Sequence, residues 1–291
     1  MRLTLTLIFC SVLLACDGLS APQAAVLVGA GDIAGCNSSG DEATAKLVAG
    51  VLTQNPGAGV FTLGDNVYPN GTSQEFGDCY NPSWGSFKAR TRPVPGNHDY
   101  NTPNATGYYG YYGAKAGDPS KGYYSYNLGA WHIVVVNSNC AAIGGCEAGS
   151  SQEKWLRGDL KAGSNTCQIL MWHHPRFSSG THGNADFMQD IWKAASENHV
   201  ELVLNGHDHT YERFAPMNAA GEPDPGGTTQ IVVGSGGISH YHLGIKKPNS
   251  QTFNADTYGV LKLELAAKGY KFEFLPEPGK TFSDSGSGLC R

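Results

Sequence analysis

Residues 206–213 read GHDHTYER, and the run VELVLN just before them has the apolar, β-branched look of a buried strand. His207 and His209 stand two apart, so in an extended chain both rings point to the same side and can converge on one object, for which a metal ion is the natural partner. The same arrangement recurs along the chain. Asp32 follows AAVLVGAG; Asp65, Asn66 and Tyr68 follow GVFTLG; Asn97, His98 and Asp99 follow RPVPG; His173 and His174 follow CQILMW, with His182 downstream. Five successive apolar runs therefore deliver oxygen or nitrogen donors at the same end, the end where α/β sheets place their sites. The chemistry this suits is the binding of metal ions by converging oxygen and nitrogen donors.

The elements that must hold these residues are legible in the intervening pattern. AAVLVGAG, GVFTLG, CQILMW, VELVLN and TTQIVVGSG read as strands, as do the closing runs YGVLKLEL and GYKFEFLP; YYSYNLG and AWHIVVVN read as a hairpin, and RPVPG leads up a brief strand. DEATAKLVAGVL is helical up to Asn55 and Pro56, PSWGSFKAR is a short helix, and ADFMQDIWKAASENH is another. SSQEKWLRGDLKAG opens with Ser150 and Glu153 at capping-box spacing. Strands interleaved with helices in this way imply an α/β sandwich, sheets inside and helices outside.

The set GD, GDNVY, GNHD, WHHP and GHDH, in this order, resembles the metallophosphoesterases, and GDNVY narrows the resemblance to the purple acid phosphatases of small, single-domain type. It implies a four-layer α/β/β/α sandwich of two mixed β-sheets flanked by helices. It also implies a ligand set: Asp32, Asp65, Tyr68 and His209 for the first metal, and Asp65, Asn97, His173 and His207 for the second, with Asp65 bridging. His173 rather than His174 matches the ligand two residues before the proline, here Pro175. His98 matches the substrate-binding histidine and His182 the second outer histidine, followed by Gly183 as in the animal enzymes. Asp99 would orient the ring of His98, as carboxylates near metal sites commonly do.

The implied activity is hydrolysis of phosphomonoesters: a metal-bound hydroxide attacks phosphorus in line, His98 helps to stabilise the equatorial oxygens, and His182 protonates the leaving alcohol. A phenol with pKa near 10 binds well as phenolate only to a strongly Lewis-acidic ion, so Tyr68 favours Fe(III), with a divalent ion (Fe, Zn or Mn) at the other position. A phosphodiesterase or nucleotidase on the same scaffold is the alternative. Against its cyclic-nucleotide branch stands Ala34, where those enzymes carry a histidine two residues after the first aspartate. A phosphate- or metal-binding lipoprotein without activity is a third reading, which predicts a lost ligand or outer histidine; none is missing.

Outside this set, residues 100–126 carry eight tyrosines among glycines, fit either to wall a substrate pocket or to pack over the outer hairpin. His174 reads as an outer-shell or rim residue, His132 as a hydrogen-bonded strand residue, and His240 and His242 as residues that could reach the rim.

Residues 1–15, MRLTLTLIFCSVLLA, read as an export signal too short to span a bilayer, and Leu13 to Cys16 resemble a lipobox that would make Cys16 the lipidated first mature residue. A short tether at 17–24 and a domain at 25–291 complete the expected organisation, placing the protein in a bacterial cell envelope or outside the cell with a membrane tether. The six remaining cysteines form an even set, read as disulfides. Cys140 and Cys146 bracket AAIGG and are the safest pair; Cys36 with Cys79 and Cys167 with Cys290 are one choice among the fifteen connectivities. Sequons stand at Asn37, Asn70 and Asn104. A formal charge of −5 without a Lys/Arg cluster argues against nucleic acid or an anionic membrane surface as partner. The expected partner is a small phosphoester, attracted by the local charge of the metals.

Overall fold

The computed structural model describes residues 24–163 and 167–291; the expected export signal, Cys16 and all but the last residue of the tether lie outside the described residues. In chain order the strands and helices are β1 (Ala25–Ala30), β2 (Ala34–Gly35), α1 (Gly40–Gln54), β3 (Gly59–Thr62), β4 (Val67–Tyr68), α2 (Ser73–Glu75), β5 (Thr91–Arg92), α3 (Thr106–Tyr112), β6 (Tyr124–Leu128), β7 (Trp131–Val135), α4 (Ser151–Ala162), β8 (Cys167–Met171), α5 (Gln189–Glu197), β9 (Leu202–Asn205), β10 (Tyr211–Phe214), β11 (Thr229–Val233), β12 (Ser250–Asn254), β13 (Gly259–Ala266), β14 (Gly269–Pro276) and β15 (Ser285–Leu289).

One sheet runs β15-β14-β13-β1-β3-β5 and the other β12-β10-β11-β9-β8-β7-β6. Both are mixed: β1, β3 and β5 are parallel while β13 joins antiparallel, and β7, β8, β9 and β11 are parallel with antiparallel strands at the flanks. Because side chains alternate across a strand, β8 sends Ile169 and Met171 into the core between the sheets and Leu170 to the opposite face. There Leu170, with Val134 of β7 and Val203 of β9, packs under Leu156 and Leu160 of α4 and Ile191 and Trp192 of α5. On the first sheet α1 lays Val48 and Val51 against the core, while Lys271 and Glu273 of β14 stay exposed beyond it. This is the four-layer order, with one outer layer thinner than the other.

The local signals mostly act as read. Ser150 caps α4 by accepting from the Glu153 N–H, but the Glu153 carboxylate turns to Gly149 N instead of closing the box. Cys36–Cys79, Cys140–Cys146 and Cys167–Cys290 are the three disulfides. Differences fall where chemistry overrides pattern. The strand expected along RPVPG is only Thr91–Arg92, since Pro93 and Pro95 have no N–H for a ladder. The helix expected in PSWGSFKAR is a 3-10 turn over Trp84–Arg90. The tyrosine segment contains α3, built from residues of modest helix propensity and held by packing: Tyr108, Tyr109 and Tyr112 are buried. The hydroxyl of Tyr108 donates to Pro93 O, and that of Tyr112 lies 3.0 Å from Asn66 Oδ1. Most of these rings therefore form a shelf beneath the donor-bearing loops rather than a pocket wall.

Candidate metal centre

The donors sit just past the C-terminal ends of parallel strands. Asp32 follows β1, Asp65 follows β3, Asn97 lies beyond β5, His173 two residues past β8, and His207 two residues past β9. Three of them, Asp32 (φ 61°), Asp65 (φ 47°) and His207 (φ 73°), adopt left-handed backbone, a strain typical of functional loops. Two glycines let those loops close in. A Cβ on Gly96 would lie 2.1 Å from both Asp65 N and Asp65 Oδ1, and one on Gly64, itself at φ 89°, would lie 2.4 Å from His173 Nδ1.

Around the hydroxyl of Tyr68, Asp32 Oδ1 and Asp65 Oδ2 stand at 3.0 Å and His209 Nε2 at 3.1 Å. Asp65 Oδ2 is also 3.2 Å from His173 Nε2, which lies 3.1 Å from Asn97 Oδ1 and 3.3 Å from His207 Nδ1. All seven expected donors thus form two adjoining clusters with Asp65 in both. The far sides of the rings are pinned: His173 Nδ1–H donates to Leu63 O at 2.7 Å, and His209 Nδ1 lies 2.7 Å from Ser239 Oγ. Anchoring one ring nitrogen aims the other at the cluster, as in metal-binding histidines. Asp32 Oδ2 accepts from the His207 N–H, and Asp65 Oδ1 from the His98 N–H, both at 2.8 Å.

The electrostatics of this protein without ions are those of a cluster short of positive charge. Burial pushes the Asp32 carboxyl up to about 8. Asp65 is buried too, but His173 and His98 beside it outweigh desolvation and hold it below the usual range. Burial would lower His173, yet Asp65 raises it to about 9. His209 is pushed down to about 3 and His207 is lowered as well, both chiefly by burial. Burial and the two carboxylates drive the Tyr68 phenol upward. Two carboxylate oxygens and a ring nitrogen crowd one phenol oxygen at about 3 Å, a convergence of lone-pair atoms that suits a cation. The three carboxylate, phenol and imidazole donors on one side, and the amide, two imidazoles and shared carboxylate on the other, suit two ions.

Outside the clusters, His98 keeps its ring 4.3 Å from that of Tyr68, with Nε2 4.0 Å from Asp65 Oδ2. Its Nδ1–H donates to Pro69 O at 2.7 Å. Asp99 therefore does not orient His98. Its Oδ2 accepts from Gly96 N at 2.8 Å and Asn66 Nδ2 at 2.9 Å, so it ties together the two loops bearing Asp65 and Asn97. His182 stacks on His207 with ring centres 4.4 Å apart, and its backbone N–H donates to Asp208. His174 is held by Ser138 Oγ at 2.8 Å from Nδ1, beside the cluster, and His132 is a strand residue bonded to Asn127 and Asp159. His240 stacks on Tyr258 instead of reaching the rim. The residue between His240 and His242 does so: Tyr241 stacks on His209 at 3.8 Å, nearly parallel, and meets His182 edge-on at 5.2 Å. Tyr241, Asp208 and Ser239 are site residues that the sequence reading missed.

Fold and donor set together place two candidate cation positions at the C-terminal ends of the parallel strands. The chain belongs to the calcineurin-like phosphoesterase family, whose model matches residues 26–211. Within that family it is similar to purple acid phosphatases. It is 28% identical over 215 residues to purple acid phosphatase 15 of Arabidopsis thaliana, a match covering 61% of this chain and 40% of that protein. It is 25% identical over 248 residues to a nucleotide pyrophosphatase/phosphodiesterase of Hordeum vulgare, covering 70% and 64%. The chain spans less than half the length of the first of these. Among solved structures, a purple acid phosphatase from yellow lupin seeds superimposes with a TM-score of 0.71 at 19% identity, over 92% of this chain and 54% of that one. The Plasmodium protein described as the anchor in the inner membrane complex gives 0.69 at 15% identity, over 92% and 90%. Both show the fold.

Proposed function

We propose that this protein hydrolyses phosphomonoesters at a dinuclear metal centre held by Asp32, Asp65, Tyr68, Asn97, His173, His207 and His209. The observation that carries this is the convergence of seven donors on two adjoining positions sharing Asp65. When bound, two cations polarise a phosphoryl oxygen and supply a nucleophilic water at neutral pH. Everything else falls to the chain. His98, with Nδ1–H committed to Pro69 O, donates to a phosphate oxygen from Nε2 when the ring carries its second proton. His182 stands over His207 to give a proton to the departing alcohol, a contribution of about a hundred- to ten-thousand-fold in rate. Tyr241 covers one face of the His209 ring. No covalent enzyme intermediate is needed.

Fe(III) at the Tyr68 position and a divalent ion at the other form part of this reading, because a phenol raised by burial yields its proton only to a strong Lewis acid. So does export behind residues 1–15 with lipidation at Cys16 and a domain at 25–291. Three disulfides support an oxidising compartment, and among the described residues no helix is long and apolar enough to cross a membrane.

The deciding assay compares a nitrophenyl phosphate monoester with the bis-nitrophenyl diester on metal-loaded protein. A monoester preference is the expected result. A diester preference moves the protein to the phosphodiesterase reading, which the printed name of the barley relative favours. No turnover of either, with both ions bound, leaves a binding protein.

A further inference from the structure

Beside the donor clusters opens a groove of about 590 Å³, within the range of small-molecule sites. The candidate donor Asn97 lines it, with Tyr100, Ser138, Ala141, His174 and Phe187 among its other walls. One wall is the turn Cys140–Ala142, fixed by the Cys140–Cys146 disulfide. Among the described residues, no lysine, arginine, aspartate or glutamate lines it. A phosphate dianion is neutralised at the metal clusters, but a second anion on the leaving group would find no counter-charge here.

Phe187 decides what the groove suits instead. It is 53% exposed, and it is the single aromatic among the large apolar side chains left exposed in the described residues. Its ring packs edge-on against His174, centres 5.5 Å apart, while His174 lies 4.3 Å from His207. With Ser138 fixing His174, these rings form a rigid path from the metal clusters into the groove, ending in an aromatic surface open to a ligand.

We infer that the alcohol half of the substrate is an uncharged aromatic group, lying in this groove against Phe187 while its phosphate sits beside Asn97. The inference rests on the phosphomonoesterase reading and names its substrate class.

The test uses metal-loaded protein with benzyl phosphate and ethyl phosphate. Both release primary alcohols, so their difference reports the groove rather than the leaving-group chemistry. Wild type should favour the benzyl ester by about tenfold in kcat/KM, the scale of one aromatic pair. Phe187→Ala should remove that preference while ethyl phosphate turnover and inhibition by inorganic phosphate stay within about twofold, and Phe187→Trp should retain it. Equal turnover of the two esters by wild type, or a Phe187→Ala that slows both alike, overturns the inference. If neither ester is hydrolysed, the catalytic reading falls, and calorimetry with benzylphosphonate against ethylphosphonate still decides the groove. Tighter benzyl binding that Phe187→Ala abolishes supports it, and equal affinities overturn it.

Discussion

Asp208 Oδ1 accepts the backbone N–H of His182 at 2.9 Å, while its Oδ2 accepts from the hydroxyl of Ser178. A fully buried carboxylate lying between two candidate metal ligands in sequence thus fastens both ends of the loop that carries the proposed acid. Asp208 acts as a positioning residue. Asp208→Asn replaces one acceptor by an NH2 and leaves either His182 N–H or Ser178 unpaired, a cost of roughly 1–3 kcal/mol. Turnover should fall about ten- to a hundredfold with KM changed far less and both ions retained, because the loop rather than the phosphate site is loosened. Metal content, kcat and KM of the variant check this; loss of metal together with activity would instead make Asp208 a prop of the ligands.

Protonation of the donors makes metal loading depend on pH. Without ions, Asp32 (about 8) and His173 (about 9) both hold protons at neutral pH that their unfolded counterparts, at 3.8 and 6.5, largely lack. The folded state binds more protons through this window, so the stability of the metal-free protein falls as pH rises from about 6.5 to 9. Cations require the deprotonated donors, so apparent metal affinity rises over the same window. Melting of metal-free protein across that range, and calorimetric titration in two buffers of different ionisation heat, should show a falling Tm and proton release on binding. A flat Tm and no buffer dependence would contradict both assignments.

Tyr68→Phe is the sharpest test of iron. The ring packs against His98 and should keep its place, since only the hydroxyl among Asp32, Asp65 and His209 is lost. An iron-loaded wild-type protein should show a visible phenolate-to-Fe(III) charge-transfer band, and the variant should lose it. A colourless iron-loaded wild type, or a variant that keeps the band, counts against Fe(III) beside Tyr68.

Most of the candidate donors are legible because they trail strands of recognisable period, and parallel strands bring their C-terminal ends together whatever the loops do. Loop paths carry no such period. Tyr241 lies after GSGGIS, where no repeat says which of three consecutive rings turns inward, and the segment delivers Tyr241 to His209 while His240 faces Tyr258. Nothing local marks Asp208, because its partners Ser178 and His182 lie about thirty residues earlier. β10, β12 and β15 escaped notice for a related reason. β15 is SGSGL, an edge strand paired on one side, and nothing apolar alternates along it.

Gly96 has to be glycine. Its Cβ position falls 2.1 Å from Asp65 N and Oδ1, backbone and a donor that cannot swing aside without leaving the cluster. Gly96→Ala should destabilise the fold by at least about 1–3 kcal/mol and lower the affinity of both positions for metal, since Asp65 serves both. Thermal melting and metal content after dialysis check this; an alanine variant with full metal content would mean that the 96–97 turn is looser than it looks.

Asp99 separates two roles that its position beside His98 would confuse. If it oriented the imidazole, any loss of its charge would depress turnover. The geometry gives that task to Pro69 O and gives Asp99 the backbone N–H of Gly96 and the amide of Asn66. Burial raises its carboxyl to about 7, and its second oxygen, buried, has no hydrogen-bond partner, so the charge itself does little there. Asp99→Asn keeps an acceptor for both donors and should leave kcat within a few-fold of wild type. Asp99→Ala strands two buried donors and should cost about 1–3 kcal/mol of stability or more, with the two loops it joins loosening together. Turnover measured beside thermal melting for the pair of variants decides the matter. An asparagine variant that is stable but loses most of its activity would return Asp99 to the chemistry.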